Sequence, residues 1–230
     1  MREIKWPRAI RAVVFDMDGT LLDTERVYVQ TFLETVPLFG YALDEGFLHG
    51  LIGGTRDQFQ VGLRARLGPD FPYDAHRVAY LARRDELMAA GVAVKPGVEE
   101  VLAAAEALGL PMAVATAAVR GHAEAHLERT GLRRRFAALV TRDDVVNSKP
   151  SPDIFLRAAT EIGIAPEDCV AVEDSFNGVR SAHAAGMMTI MVPDIVPADA
   201  EMQEKVVAVL ADLHALSAAL RRGAEHGYIS

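Results

Sequence analysis

The chain has one cysteine, Cys169, and four lysines among its 230 residues. A single thiol excludes an intrachain disulfide and a cysteine-rich metal site, and in the run Cys-Val-Ala-Val it is typical of a small buried hydrophobe. Residues 1–11 are charged, contain Pro7 and lack an apolar run, so we expect no signal peptide. These absences predict a cytoplasmic protein that folds without disulfides.

Positive charge is also in short supply, because the formal net charge is −8. Nucleic-acid and acidic-membrane surfaces rest on basic clusters, so neither partner is expected. The basic runs at 83–84 and 133–135 are interpreted as solvated helix faces. The apolar stretch 101–119 is interrupted by Glu106 and by the Gly109–Pro111 break, which favours a buried helix followed by a strand over a membrane span.

Apolar segments of helical and strand-like period alternate from Gly97 onward. Such alternation predicts βαβ units around a parallel sheet, and strands without polar alternation predict that both faces are covered. With the strand before Asp16 added, the fold class is α/β with a doubly wound parallel sheet. The predicted elements are helices at 97–108, 120–130, 152–162 and 176–184, strands at 112–116, 137–140, 169–173 and 187–192, and a tail strand at 205–210 with a helix at 212–222.

The segment between Asp23 and Val94 breaks this alternation. It shows helical periodicity at 24–38, 44–51, 56–67 and 74–90 and no convincing strand. We therefore predict a core domain of residues 8–22 and 95–222, with a helical cap domain of residues 23–94 inserted between hinges near 21–24 and 92–96.

Two carboxylates follow the first predicted strand, in Val-Phe-Asp-Met-Asp-Gly-Thr-Leu-Leu at 14–22. Asp16 and Asp18 can share a face, and their mutual repulsion calls for a cation between them. Gly19 permits a sharp turn, and Thr20 offers a hydroxyl and an N–H to phosphate oxygens. The alternative is an Asp-rich turn with no ligand.

This stretch resembles the first motif of the haloacid dehalogenase superfamily, in which the first aspartate is the nucleophile of phosphoryl transfer. Three later predicted strand ends extend the resemblance. Thr116 ends a strand before a helix, Lys149 lies in Asn-Ser-Lys-Pro-Ser-Pro-Asp at 147–153, and Glu173-Asp174 end a buried strand. Taken singly, these segments also fit a helix cap, a surface lysine and an acidic helix N-terminus.

Together the four segments match the four superfamily motifs in order, and the resemblance covers nearly the whole chain. It implies that Asp16 is the nucleophile, Asp18 the general acid/base, and Thr116 and Lys149 phosphate stabilisers. It further implies Mg²⁺ as cofactor. The implied metal residues are Asp16, Asp18 through its carbonyl, Asp174, and Glu173 as a nearby or direct ligand. The implied substrate-binding residues are Gly19, Thr20, Ala117, Arg120 and, on the cap, Arg56.

Several related chemistries fit the sequence less well. Dehalogenases of the superfamily lack an acid at the position of Asp18, and phosphonoacetaldehyde hydrolases need a cap lysine, whereas residues 24–94 contain none. Receiver domains, which hold an aspartyl phosphate as a switch, are about half as long and lack a helical insert.

Two interpretations remain, a phosphatase and a mutase similar to beta-phosphoglucomutase. Asp23-Thr24-Glu25 and the Gly-Gly-Thr-Arg at 53–56 fit both. Tyr28 stands where the mutase subgroup, and many related phosphatases, carry a histidine, and this departure favours the phosphatase. We expect its partner to be a small phosphorylated metabolite and the protein to be a monomer or a weak homodimer.

Overall fold

The computed structural model describes residues 4–51 and 56–229, without the side chains of Arg56 and Asp57. The chain divides into two compact units. The core unit comprises Met1–Leu22 and Val94–Ser230, and the insert unit comprises Asp23–Ala93. Within the described part of the chain, no helix combines the length and apolarity needed to cross a membrane.

The core unit is built on a six-stranded parallel sheet with the order β3-β2-β1-β4-β5-β6. Each of the first five strands is buried along its length, which explains why their sequences are mostly apolar and do not alternate with polar residues. The strands are β1 (Ala12–Phe15), β2 (Met112–Ala115), β3 (Ala138–Val140), β4 (Cys169–Glu173), β5 (Met188–Met191) and β6 (Ala208–Val209).

The strand order reverses between β1 and β4, which pair in the register Phe15 to Val172. Open α/β sheets hold ligands outside the carboxyl ends of their strands at this switch point. Three of the four motif segments lie at carboxyl ends of strands at or next to this point. Asp16 follows β1, Thr116 follows β2 and Glu173 ends β4.

Helices cover the core sheet. Apolar residues of α7 and α8 pack with alternate residues of β1, β2, β3 and β4 in one cluster, and α5 packs against α10. The expected doubly wound α/β fold is confirmed. The helices of this unit are α5 (Val98–Ala107), α6 (Arg120–Arg129), α7 (Asp153–Ile162), α8 (Phe176–Ala184), α9 (Ala200–Lys205) and α10 (Leu213–Glu225).

The described part of the insert unit is helical. Its elements are α1 (Thr24–Thr35), a 3₁₀ turn at Val36–Phe39, α2 (Glu45–His49), α3 (Arg56–Leu67) and α4 (Tyr73–Ala90). Helices α1 and α4 pack together, and Val36, Leu63, Leu67 and Phe71 form the buried centre of an aromatic-rich cluster. The unit therefore has its own hydrophobic core.

The core-unit ends of the two predicted hinges lie side by side. Leu22 forms an antiparallel bridge with Val94, and the N–H of Lys95 donates to the carbonyl of Leu21 at 3.0 Å. The role of the insert unit as a mobile cap stays a prediction.

The predicted strand at 205–210 is too long. Residues Ala200–Lys205 form helix α9, and only Ala208–Val209 pair with β5. The N-cap explains this difference, because the side chain of Asp199 accepts a hydrogen bond from the N–H of Met202 at 2.9 Å and so favours the helix.

Candidate active site

Asp16 follows β1 directly and lies in the interior, with 6% of its surface exposed. Its N–H donates to the carbonyl of Val172 at 2.9 Å, which continues the pairing between β1 and β4. The strand register thus places the Asp16 carboxylate beside the end of β4.

The ammonium of Lys149 is buried between two carboxylates. Its Nζ donates to Asp16 Oδ1, to Glu173 Oε1 at 2.6 Å and to the carbonyl of Ala115 at 2.9 Å. It also lies 5.0 Å from the ring centre of Phe155. A lysine from the loop after β3 thereby joins the ends of β1, β2 and β4.

The charged groups of this cluster shift the pKa values of their neighbours. Burial raises the pKa of Asp16 well above its usual range, the Lys149 ammonium counteracts this, and the charges of Glu173 and Asp18 add to the rise. Burial alone would lower the pKa of Lys149, but the charges of Asp16 and Glu173 outweigh it and raise that pKa. Lys149 is therefore cationic at neutral pH, in a cluster with an excess of carboxylates.

Glu173 is held by the start of α8. Its Oε2 accepts hydrogen bonds from the N–H groups of Asp174 and Ser175 at 3.1 and 3.2 Å and from the Ser175 hydroxyl at 3.0 Å. The Ser175 oxygen in turn caps α8 by accepting from the N–H of Gly178 at 3.1 Å. Helix N-terminal donors thus orient Glu173 toward Lys149.

Gly19 and Thr20 both contact Asp174. Gly19 has a φ of +82°, and a Cβ at this position would lie 2.4 Å from Asp174 Oδ2. The Thr20 hydroxyl donates to Asp174 Oδ1 at 3.2 Å, and the N–H of Gly19 donates to the carbonyl of Leu22 at 2.8 Å. These groups shape the turn and orient Asp174. Their predicted contact with substrate stays a prediction.

Thr116 is fully buried at the end of β2. Its hydroxyl donates to Asp18 Oδ2 at 3.2 Å and accepts from the N–H of Ala118 at 3.0 Å. Ala117, between them, is exposed. The threonine thus orients Asp18, and the exposed residue Ala117 follows Thr116 directly in the chain.

Arg120 is a predicted substrate contact, and the structure gives it other partners. Its guanidinium donates to Asp144 Oδ2 at 2.6 Å, to Glu124 Oε1 at 3.2 Å and to the carbonyl of Leu139 at 3.4 Å. Its charge is compensated by these two acids. The substrate contact of Arg120 stays a prediction. The predicted cap contact Arg56 has its side chain outside the described residues.

The donor set of the cluster fits a hard divalent cation. Asp16, Glu173 and Asp174 each offer a carboxylate oxygen, and these oxygens lie within 4.8 Å of one another. Mg²⁺ takes one or two carboxylates together with waters and phosphate oxygens. The excess negative charge around Asp16 and the close fit of Gly19 against Asp174 agree with such a site.

Two features of the site are not predicted from the sequence. One is the start of α8, where Ser175 bonds to Glu173 and caps the helix. Gly178 leaves room there for Glu173, since a Cβ at residue 178 would lie 1.8 Å from Glu173 Oε1. A serine followed three residues later by glycine, directly after two acids, is the signal that the sequence offers for it. The carbonyl of Ala115 as a Lys149 acceptor carries no side-chain signal at all.

Comparisons with known proteins agree with this arrangement. The family described as haloacid dehalogenase-like hydrolase matches residues 10–186. Protein CbbY of Rhodobacter capsulatus is 35% identical over 195 residues, which cover 80% of this chain and 86% of CbbY. Hexitol phosphatase B of Escherichia coli K12 is 34% identical over 191 residues, covering 81% of this chain and 85% of the phosphatase.

A solved structure shows the same fold with phosphate bound. The crystal structure of a haloacid dehalogenase family hydrolase from Deinococcus radiodurans R1, with phosphate and sodium, superposes with a TM-score of 0.81 at 28% identity. The superposition covers 96% of this chain and 98% of that one. The chain belongs to the haloacid dehalogenase-like hydrolase family, in its phosphatase and beta-phosphoglucomutase-like subgroup.

Proposed function

We propose that this protein is a Mg²⁺-dependent phosphatase that hydrolyses a small phosphorylated metabolite, such as a sugar phosphate, through an aspartyl phosphate on Asp16. The observation that carries the proposal is the convergence of four segments at one edge of the sheet. Lys149 bonds to Asp16 and Glu173, while Thr116 bonds to Asp18.

Asp16 is the proposed nucleophile. Its carboxylate oxygen attacks phosphorus in line with the leaving oxygen, so an O–P bond to Asp16 forms as the ester O–P bond breaks. The ammonium of Lys149 offsets the charge of the phosphoryl group, and its buried setting strengthens that interaction.

Asp18 is the proposed general acid and base. It gives its proton to the leaving oxygen in the first step and takes a proton from water in the second, which releases inorganic phosphate and restores Asp16. The 3.2 Å hydrogen bond from Thr116 supports this role because it fixes the orientation of the Asp18 carboxylate.

Asp16, Asp174 and the backbone carbonyl of Asp18 would hold Mg²⁺, with Glu173 close by and bonded to Lys149. The ion supplies charge neutralisation for the phosphoryl group when bound. The Thr20 hydroxyl and the tight approach of Gly19 hold Asp174 for this purpose.

A phosphorylated sugar or similar polyol is the proposed substrate class. The support comes from relatives, since a protein 34% identical to this chain is named hexitol phosphatase. Arg56 is proposed to bind the distal end of the substrate.

Two substitutions test the nucleophile and the cation. Asp16→Asn removes the attacking charge with little change in shape, so turnover of p-nitrophenyl phosphate should fall by at least about a thousandfold. Lys149→Met removes the buried ammonium and should lower kcat by roughly a hundredfold or more.

Each substitution has a matched control in the core unit. Asp212→Asn changes a carboxylate that caps α10. Lys205→Met changes a lysine whose Nζ lies 3.9 Å from Glu201 Oε1. Both controls should retain the activity of the unsubstituted protein. An Asp16→Asn protein that keeps substantial activity would exclude Asp16 as nucleophile. Activity that persists in EDTA, without a gain on adding Mg²⁺, would exclude the metal requirement.

A further inference from the structure

The backbone that carries Lys149 is a tight turn. The N–H of Ser151 donates to the carbonyl of Ser148 at 3.0 Å, so Lys149 and Pro150 occupy the middle of the turn. The Ser151 hydroxyl donates to Asp153 Oδ1 at 2.6 Å. Ser151 therefore stabilises the C-terminal side of the turn through its N–H and its hydroxyl.

A serine from another helix reaches this turn. Ser181 is fully buried in α8, and its hydroxyl donates to the carbonyl of Ser151 at 2.5 Å. Thirty residues separate the two serines in sequence. This hydrogen bond links the lysine turn to the helix that begins shortly after Glu173 and Asp174.

Hydrogen bonds thus connect both the ammonium of Lys149 and the backbone near it to α8. The ammonium is bonded to Glu173, whose other oxygen is held at the first turn of α8 by Ser175. The backbone is held two residues downstream by Ser181. Fixing both ends of a long, flexible side chain leaves it few alternative rotamers.

We propose that Ser181 is a positioning residue for Lys149, holding the lysine turn at the distance from α8 that the reaction requires. The inference rests on the proposed role of Lys149 as phosphate stabiliser. Without the hydroxyl, Glu173 still holds the ammonium, but the turn can shift relative to Asp16. Small misplacements of a catalytic group lower the rate steeply.

Ser217 provides a matched control. It is also a buried serine in a core-unit helix, and its hydroxyl donates to a backbone carbonyl of another helix, that of Glu100, at 3.3 Å. It lies in α10, and none of the proposed catalytic residues is among its partners in the described structure. Ser181→Ala and Ser217→Ala thus remove the same kind of hydrogen bond at two places.

The experiment measures kcat and KM for p-nitrophenyl phosphate with saturating Mg²⁺, together with Tm, for Ser181→Ala, Ser217→Ala and Lys149→Met. Ser181→Ala should lower kcat roughly tenfold with KM changed less than about twofold, because Lys149 acts mainly in the transition state. Ser217→Ala should leave kcat unchanged, while Tm falls by a few degrees in both serine variants.

The outcomes separate this inference from the proposed function. If Lys149→Met loses kcat as expected and the two serine variants have equal kcat, Ser181 does not position the lysine and the inference is wrong. If Lys149→Met is fully active, the proposed role of Lys149 fails, and the inference falls with it. A loss of kcat in Ser181→Ala but not in Ser217→Ala, together with the expected loss in Lys149→Met, supports both.

Discussion

The carboxylate of Glu173 occupies the space that a side chain on residue 178 would need: a Cβ there would lie 1.8 Å from Oε1 and 2.1 Å from Oε2. Gly178→Ala should therefore displace Glu173 and loosen its hold on Lys149. We expect a loss of kcat of roughly a hundredfold and a destabilisation of about 2 kcal/mol, measured by steady-state kinetics and urea unfolding.

Gly121→Ala is the control for this substitution. Gly121 is also helical, in α6, and a Cβ there would meet nothing within 4 Å. Alanine favours a helix over glycine, so this variant should be neutral or slightly more stable. Equal effects of the two substitutions would mean that the space beside Glu173 is unimportant.

Removing the Thr20 hydroxyl should weaken the metal site specifically. Thr20→Val keeps the shape of the side chain but deletes the 3.2 Å hydrogen bond to Asp174. Because groups that orient a metal ligand typically contribute about tenfold or more to affinity, the Mg²⁺ concentration for half-maximal activity should rise roughly tenfold. Activity at saturating Mg²⁺ should largely return.

Thr189→Ala controls for the loss of a buried hydroxyl, since that hydroxyl donates to the carbonyl of Met187 at 3.3 Å, within the same strand region. Its Mg²⁺ dependence should match that of the unsubstituted protein. A Thr20→Val protein with unchanged Mg²⁺ dependence would show that Asp174 needs no such orientation or does not bind the ion.

The sequence predicts the fold well because its signals are local and strong. Mostly apolar runs identify β1, β2, β3, β4 and β5. Polar residues end three of these runs, and they are Asp16, Thr116 and Glu173. Strand β6 is harder to predict, since only two residues pair and a capped helix precedes them.

The partners of the site residues cannot be predicted in the same way. Arg120 stands beside a predicted phosphate corner, but Asp144, 24 residues later, compensates its charge. Thr20 and Asp174 are 154 residues apart, so their hydrogen bond depends on the register of β1 with β4. Such pairings depend on tertiary packing, and the sequence of either segment alone gives no signal that predicts them.

The insert unit should become less stable in mild acid. His76 is buried among Phe32, Phe71 and Tyr80, with Nε2 3.1 Å from the Thr35 hydroxyl, and burial lowers its pKa below 6.5. The folded unit thus favours the neutral ring. Its contribution to stability is complete above pH 6.5 and is lost as pH falls through the lower pKa of the folded state.

Hydrogen exchange in α4 between about pH 7.5 and 5.5, corrected for intrinsic rates, measures this effect. For one proton the slope is at most about 1.4 kcal/mol per pH unit. His76→Gln should flatten the dependence. A His76→Gln protein with the same slope as the unsubstituted one would assign the acid sensitivity to another group.

Water should be the main phosphoryl acceptor even when a sugar bisphosphate is supplied. Tyr28, in α1, stands where we expect the mutase subgroup to carry a histidine, the side chain that exchanges protons near neutral pH. Phosphorus NMR should therefore show inorganic phosphate accumulating as the main product. Rapid interconversion of sugar phosphates with little free phosphate would identify the protein as a mutase.

Asp16 is the proposed acceptor of the phosphoryl group, and trapping of the phosphorylated protein identifies the residue that accepts it. Asp18→Asn protein should still react with p-nitrophenyl phosphate and Mg²⁺, because the leaving group needs little protonation, while hydrolysis of the intermediate slows. Peptide mass spectrometry after acid quench should find a phosphoryl group on Asp16, and none in the Asp16→Asn, Asp18→Asn double variant. Phosphate release with no adduct on Asp16, or an equal amount of phosphorylated protein in the double variant, would show that Asp16 is not the nucleophile.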